Sequence, residues 1–531
     1  MIIKKSRKNI RKRSNKKSRK RLSRNSKRRV NRRTKRRTKR RTKSRLNRRT
    51  KKFLKNKNIK GGNNNEETFQ KIIEDLKTKP SLTILDLKNN KIGNDRAKNI
   101  AEALKINTTL EKLSLSNNQI GQQGAIAIAE ALKTNSTIKE LELDNNQIGK
   151  QGAIAIAKAL RTNSTIKELE LDNNQIGKQG AIAIAEALKT NITLINLNID
   201  TYNFYTNYIE ILIDINKFIS GNEQTELKLK NLKITSQKAI KLAEALETNT
   251  TLKNLELNNN EIGDEVAIAI ANSLENNKTL EELSLTENKI GDEGAKAIAN
   301  ALKSNKTLEN LLLTNNKIGH NGAIAIADAL KDNKTLKNLF LTNNKIGVKG
   351  AEAIAEALNT NATLKKLTVS KNEIGEKGVI AIAKALNTNA TLKELFVSRN
   401  EIGDGGAIAI ANALSTNTTL KELRLNENKI GEQGAIAIAN VLEDNKTLKE
   451  LSLEKNDFKN EGVIAIANAL VKNETLEYVY LEGNNIEDKG LKAIAEALNK
   501  TPKIIDFNIE YKEKVKTFQE NLNKNCRGIS N

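Results

Sequence analysis

Residues 110–137 read LEKLSLSNNQIGQQGAIAIAEALKTNST, and residues 138–165 read IKELELDNNQIGKQGAIAIAKALRTNST. The same 28-residue pattern begins at Leu82 and runs to the unit that starts at Leu476, fifteen units in all. One unit, residues 194–223, is 30 residues long and breaks the pattern. A fixed period of this size marks a solenoid, because a unit that cannot bury its apolar side alone must stack on its neighbours.

The hydrophobic period changes once inside each unit. Leu110, Leu113 and Leu115 bracket a short strand whose other face carries Lys112, Ser114 and Ser116. A polar turn with Gly121 and Gly124 follows, and Ala125, Ile128, Ala129 and Leu132 then take the spacing of a helix's buried face. An asparagine stands three residues after the second strand leucine in thirteen of the fifteen units, as at Asn118; Tyr202 and Leu232 replace it in the fifth and sixth. Its amide can satisfy backbone groups that a tight turn leaves unpaired, so stacked turns should form a ladder. N-x-[ST] recurs at Asn107, Asn135, Asn163, Asn191, Asn249 and Asn277, and is read as helix-to-strand turn chemistry copied with each unit, not as glycan sites.

The pattern L-x-x-L-x-L-x-x-N-x-I-G-x-x-G-A-x-A-I-A-x-A-L resembles a leucine-rich repeat of the ribonuclease-inhibitor type, over about residues 66–511. Similar repeats occur in Ran GTPase-activating proteins and in NOD-like receptors. The expected fold is an α/β curved solenoid, a horseshoe with parallel strands on the concave face and helices on the convex face. Strands ~4.8 Å apart and helices ~8–10 Å apart must bend the stack with the strands inside. The expected division is a disordered polybasic tail (1–60), a linker (61–65), an N-terminal capping helix (66–81), the repeats (82–503) and a C-terminal cap of strand and helix (504–531) that frays from Cys526. Pro80 and Pro502, the only prolines, occupy the same slot before the first and last strands and mark these limits.

The formal charge of +30 is uneven: residues 1–60 hold 33 Lys and Arg and no acid, so the repeat body is close to neutral. The tail repeats RRTK three times, through Arg32, Arg33, Lys35, Arg36, Arg37, Lys39, Arg40, Arg41 and Lys43. That density suits sequence-blind contact with DNA or RNA phosphates, or a nuclear address; Phe53, the tail's only aromatic, offers little for base stacking. Cys526 and His320 are single, which excludes an intrachain disulfide and Cys/His zinc sites, and no cofactor or metal is expected. His320 is read as a solvated loop residue. With no apolar run of bilayer length and no export signal, the expected compartment is nucleus or cytoplasm, with no membrane association and no secretion.

Candidate partner-binding residues come from the outward strand positions, read in 28-residue steps. Leu312, Phe340 and Phe396 cluster within four units, Arg424 follows, and Tyr478 and Tyr480 add a second aromatic point. Glu142, Asp144, Glu170 and Asp172 form an acidic cluster whose mutual repulsion a cation or basic ligand would relieve. The irregular unit holds Tyr202, Tyr205 and Tyr208, either as gap-filling aromatics or as interface anchors. The leading reading is a non-enzymatic scaffold that holds a protein on the concave face, with its tail on nucleic acid. The alternative is a GTPase-activating protein resembling the Ran activators, for which Arg96, Arg161, Arg399, Arg424 and Arg527 are the arginines outside the tail.

Overall fold

The computed structural model describes residues 66–199, 203–221, 223–501, 506–508 and 512–528. The tail, with its run from Arg32 to Lys43, and the linker lie outside the described residues. Helix α1 (Glu66–Thr78) precedes the first strand and buries Phe69, Ile73 and Leu76. Each unit then contributes a three-residue strand and a helix, beginning with Ile84–Asp86 and Gly93–Ile106. Every strand pairing is parallel and offset by 28 residues: Leu113 lies beside Leu85 and Leu141, for example. Only the fifth unit interrupts this register. A column of residues in the sequence is therefore a column of side chains across the sheet.

The turn between strand and helix has two forms, and one residue in the preceding unit selects between them. Where that residue is Asp or Asn, its carboxylate or amide oxygen accepts the first N–H groups of the next helix. Asp264 does so for Gly291 (2.7 Å) and Gly294 (3.0 Å), and Asp292 for Gly319 and Gly322 (2.7 and 2.9 Å). Asn94 and Asp404 act likewise on Gly121 and Gly431. These glycines stay extended, with φ of −89° to −101°. Where the slot holds Gln122, Lys150, His320, Val348 or Glu376, no such cap forms. There Gly149, Gly177, Gly347, Gly375 and Gly403 swing to φ of 60° to 67°, a region that suits glycine. Gly263, whose counterpart is Ser236, takes the extended form as well. Where Asp or Asn fills the slot, the helix is thus capped from the neighbouring unit, whereas helix Ser236–Thr248 is capped by its own Thr235, whose hydroxyl accepts Lys238 N–H.

Two asparagine ladders run through the stack. In the inner one, Asn118 Nδ2 donates to Leu87 O (2.8 Å) while its Oδ1 accepts Asn90 N–H (2.7 Å). In the outer one, at the helix-to-strand turn, Asn163 Nδ2 donates to Leu132 O (2.8 Å) and Asn135 O (3.1 Å), and its Oδ1 accepts Ile166 N–H. Asn107, Asn135, Asn163, Asn191 and Asn277 are buried, which accounts for the recurring N-x-[ST] as packing chemistry.

The irregular unit breaks the sheet in two. Strands one to five, ending at Asn196–Asn198, form one sheet, and strands from Glu226–Lys228 onward form an eleven-stranded second. Between them helix Asn203–Ile219 replaces the usual turn and helix. Tyr208 donates its hydroxyl to Leu232 O at 2.9 Å, tying this helix to the next turn. Tyr202 and the side chain of Tyr205 lie outside the described residues.

The outer ladder also lacks its next rung here, and Lys238 supplies it. Lys238 stands in the slot that Gly124, Gly152 and Gly294 hold in regular units. Its side chain runs inward, only 1% exposed, and Nζ donates to Leu188 O (2.7 Å), Asn191 O (3.1 Å) and Leu212 O (3.4 Å). Leu188 O and Asn191 O are the carbonyls that an asparagine 28 residues after Asn191 would have taken, by analogy with Leu132 O and Asn135 O. Burial pulls the Lys238 pKa down to about 7. At the far end, strand Asp506–Asn508 and helix Lys512–Gly528 close the stack. That helix runs through Cys526, where fraying was expected, and ends at Gly528.

Candidate functional site

The strand face of the second sheet carries the chemistry that the sequence columns pointed to, in a different form. Register aligns Leu312, Phe340, Thr368, Phe396 and Arg424 in successive strands, then Ser452 and Tyr480. Leu312, Phe340, Phe396, Tyr478 and Tyr480 are half-buried and Arg424 is exposed. The apolar patch expected here is interrupted: Lys366, two residues ahead of Thr368, extends its ammonium between the two phenylalanines. It sits 5.7 Å from the Phe340 ring centre and 4.4 Å from that of Phe396. The Arg424 guanidinium lies 4.4 Å from the same Phe396 ring. Phe396 therefore has a cation from each neighbouring strand on it, a contact of the cation–π kind.

Carboxylates frame these cations. Glu394, Glu422 and Glu450 form a column of three adjacent strands, between Lys366 and Tyr478. Lys366 pairs with Glu394 at 2.5 Å, and Arg424 pairs with Glu422 at 2.6 Å and Glu450 at 3.0 Å. Burial pushes the Glu422 carboxyl up; Arg424 opposes this, and Glu450 beside it adds to the rise. The result is a strip of alternating rings and cations with an acidic border. Reading the Phe340 column alone missed Lys366 and the three glutamates; the column two positions earlier would have shown them.

The acidic residues of the first sheet have partners within the chain. Glu142 pairs with Lys88, and with Lys112 at 3.0 Å, and accepts the Ser114 hydroxyl at 2.9 Å. Burial works to raise the Glu142 pKa, but the two lysines outweigh it and hold the pKa down to about 2. Asp144 accepts Ser116 Oγ and Asn145 Nδ2, and Asp172 accepts Asn198 Nδ2. Glu170 lies beside Glu142 in register and also has a partner. The expectation that the cluster waits for an outside cation is therefore corrected at Glu142, which lysines from the first two units already compensate; Asp144 and Asp172 accept hydrogen bonds from neutral side chains.

The arginines offered by the alternative reading are mostly engaged in structure. Arg96 pairs with Glu66 and lies over Phe69, Arg399 pairs with Glu427, and Arg424 belongs to the strip. Arg161 is the C-terminal cap residue of helix Gly149–Leu160, and Arg527 lies near the end of the last helix. His320 is exposed at the start of helix His320–Asp332. Among the described residues no cluster of His, Cys, Asp and Glu could hold a metal, and no helix is long and apolar enough to cross a membrane.

A parallel sheet of 28-residue units, backed by helices and bound by asparagine ladders, defines a leucine-rich repeat solenoid. The chain belongs to the leucine-rich repeat family ("Leucine Rich repeat"), whose pattern matches residues 78–101, 107–129, 134–157, 162–185, 248–271, 276–299, 304–327, 332–355, 360–383, 388–411, 416–439, 444–467 and 472–495. The unmatched interval between residues 185 and 248 is the one that holds the broken ladders. Similar solved structures include leiomodin-1 actin-binding site 2, at 33% identity and TM-score 0.27, covering 28% of this chain and 88% of that one. A tropomodulin C-terminal domain from structural genomics of Caenorhabditis elegans is 19% identical with TM-score 0.27, covering 28% and 92%. No match was found among curated proteins.

Proposed function

We propose that this chain is a non-enzymatic scaffold that holds a partner protein on the strand face between Leu312 and Tyr480. The observation that carries the reading is the Phe340–Lys366–Phe396–Arg424 strip. Aromatic and arginine side chains anchor interfaces out of proportion to their number, and here they stand side by side on a rigid sheet. The bordering glutamates fix the two cations in place, so a partner meets an ordered surface and little side-chain entropy is lost on binding. In the same reading, the tail of residues 1–60 tethers the complex to nucleic acid through phosphate contacts, or directs it to the nucleus. The tail's 33 basic residues without an acid support this role.

The test is affinity capture with the full chain and with a Phe396→Ser, Arg424→Gln variant that keeps the circular dichroism of the parent. The proposal expects specific proteins on the parent that are absent from the variant. Recovery of the same proteins by both would refute it. Nucleic acid retained at low salt and released at high salt, by both baits, would identify the tail's share.

A further inference from the structure

A second surface lies off the strand face, along the edge where the chain passes from helix to strand. In five successive units the residue just before the strand is lysine: Lys337, Lys365, Lys393, Lys421 and Lys449. Backbone bonds hold this row together: Lys365 N donates to Lys337 O, Lys393 N to Lys365 O and Lys421 N to Lys393 O, each at 2.7 Å. Both ends of the row are neutralised, Lys337 by Glu309 and Lys449 by Glu477, each at 2.6 Å. The middle three are exposed and form no ion pair among the described residues. They border a groove of about 680 Å³. In the column Lys334, Ala362, Ala390, Thr418 and Lys446, which also lines the groove, the three middle positions hold small side chains.

Three uncompensated ammonium groups, each one strand from the next, repel one another in the free protein. A ligand with several negative charges interacts with all three at once. The groove is lined by Lys, Thr and Ala, and its lining has neither an aromatic ring nor an arginine for bases to stack on. Flexible ammonium groups accept carboxylates without the fixed fork geometry of arginine. At ~4.8 Å per strand the row spans roughly 19 Å, the length of about six residues of extended peptide. We infer that this groove binds an extended acidic peptide segment of a partner protein. The inference is independent of the strand-face strip, none of whose residues lines the groove.

The test measures the acetylation rate of each lysine in the full chain by mass spectrometry, with and without a ten-residue oligoglutamate. The polybasic tail is an internal control, since its lysines should be shielded by any polyanion. The inference expects several-fold slowing at Lys365, Lys393 and Lys421. It also expects Lys337 and Lys449 to lose their shielding in a Lys365→Gln, Lys393→Gln, Lys421→Gln variant while the tail keeps its own. Slowing confined to the tail would overturn it. Stronger shielding of the groove by oligothymidylate of equal length would overturn it too, in favour of nucleic acid.

Discussion

The regular units and the break at residues 194–251 meet the same packing demand with different side chains. In a regular unit a glycine lets neighbouring helices touch, and an asparagine supplies the donors for the turn carbonyls. In the sixth unit a single lysine takes the glycine's place and delivers the donors from its far end. The comparison teaches that the demand lies in the carbonyls, and that the amide is one way to meet it. It also separates two uses of repetition. The ladders fix the backbone wherever they run, which leaves the strand-face columns free to carry charge in the first sheet and rings in the second.

Several substitutions would break this contrast. The largest effect is expected from Lys238→Met, which leaves Leu188 O, Asn191 O and Leu212 O without the donor they now share. A loss of about 3 kcal/mol is expected, confined to the units around the break. Hydrogen exchange would show faster opening at residues 188–191 and 212, with residues 310–425 unchanged. Uniform loosening along the chain would contradict the local account. In the regular units, Gly350→Ala should cost about 2 kcal/mol by crowding. The added Cβ would meet Ile346 Cγ2 at 2.5 Å and Ala323 Cβ at 2.8 Å. Chemical denaturation would measure it.

The two regions should also respond to pH in separate windows, each gaining stability as pH rises. Lys238 has its folded pKa lowered to about 7, so the unfolded chain binds the extra proton between that value and about 10.4. Stability at the break therefore rises with pH across this window, and Lys238→Met should abolish the trend. Glu142 has its folded pKa lowered to about 2. Its contribution is present above about 4.3 and is lost as pH falls toward 2. Exchange rates corrected for intrinsic pH dependence would check both. Smallest of all, Asp292→Ala removes the shared cap of Gly319 and Gly322 and should cost about 1 kcal/mol, read as a shift of the denaturation midpoint.

Much of the fold was legible because the period is exposed in the sequence itself. Strand, turn and helix follow from Leu113, Gly124 and Ile128, and the missing asparagines at Tyr202 and Leu232 marked the break. The choice between turn forms was legible in principle, since Asp292 or His320 in one unit sets the glycine of the next, but it requires reading across units. Lys238 was not legible: a lysine in a glycine slot looks exposed until the carbonyls of Leu188, Asn191 and Leu212 are seen around its ammonium. At the proposed site, the column reading singled out Phe340, Phe396 and Arg424. It missed Lys366 because the contact crosses from one column to another. It read Glu142 as unsatisfied because its partners, Lys88 and Lys112, come from units nearer the N-terminus and from different columns.

The most direct test of the central claim is hydrogen exchange of the full chain with and without a protein it captures. The account predicts protection at 338–340, 366–368, 394–396 and 422–424, with the helices facing away unchanged. Protection confined to helices such as Gly347–Leu358 and Gly375–Leu386, with the strands unprotected, would contradict it.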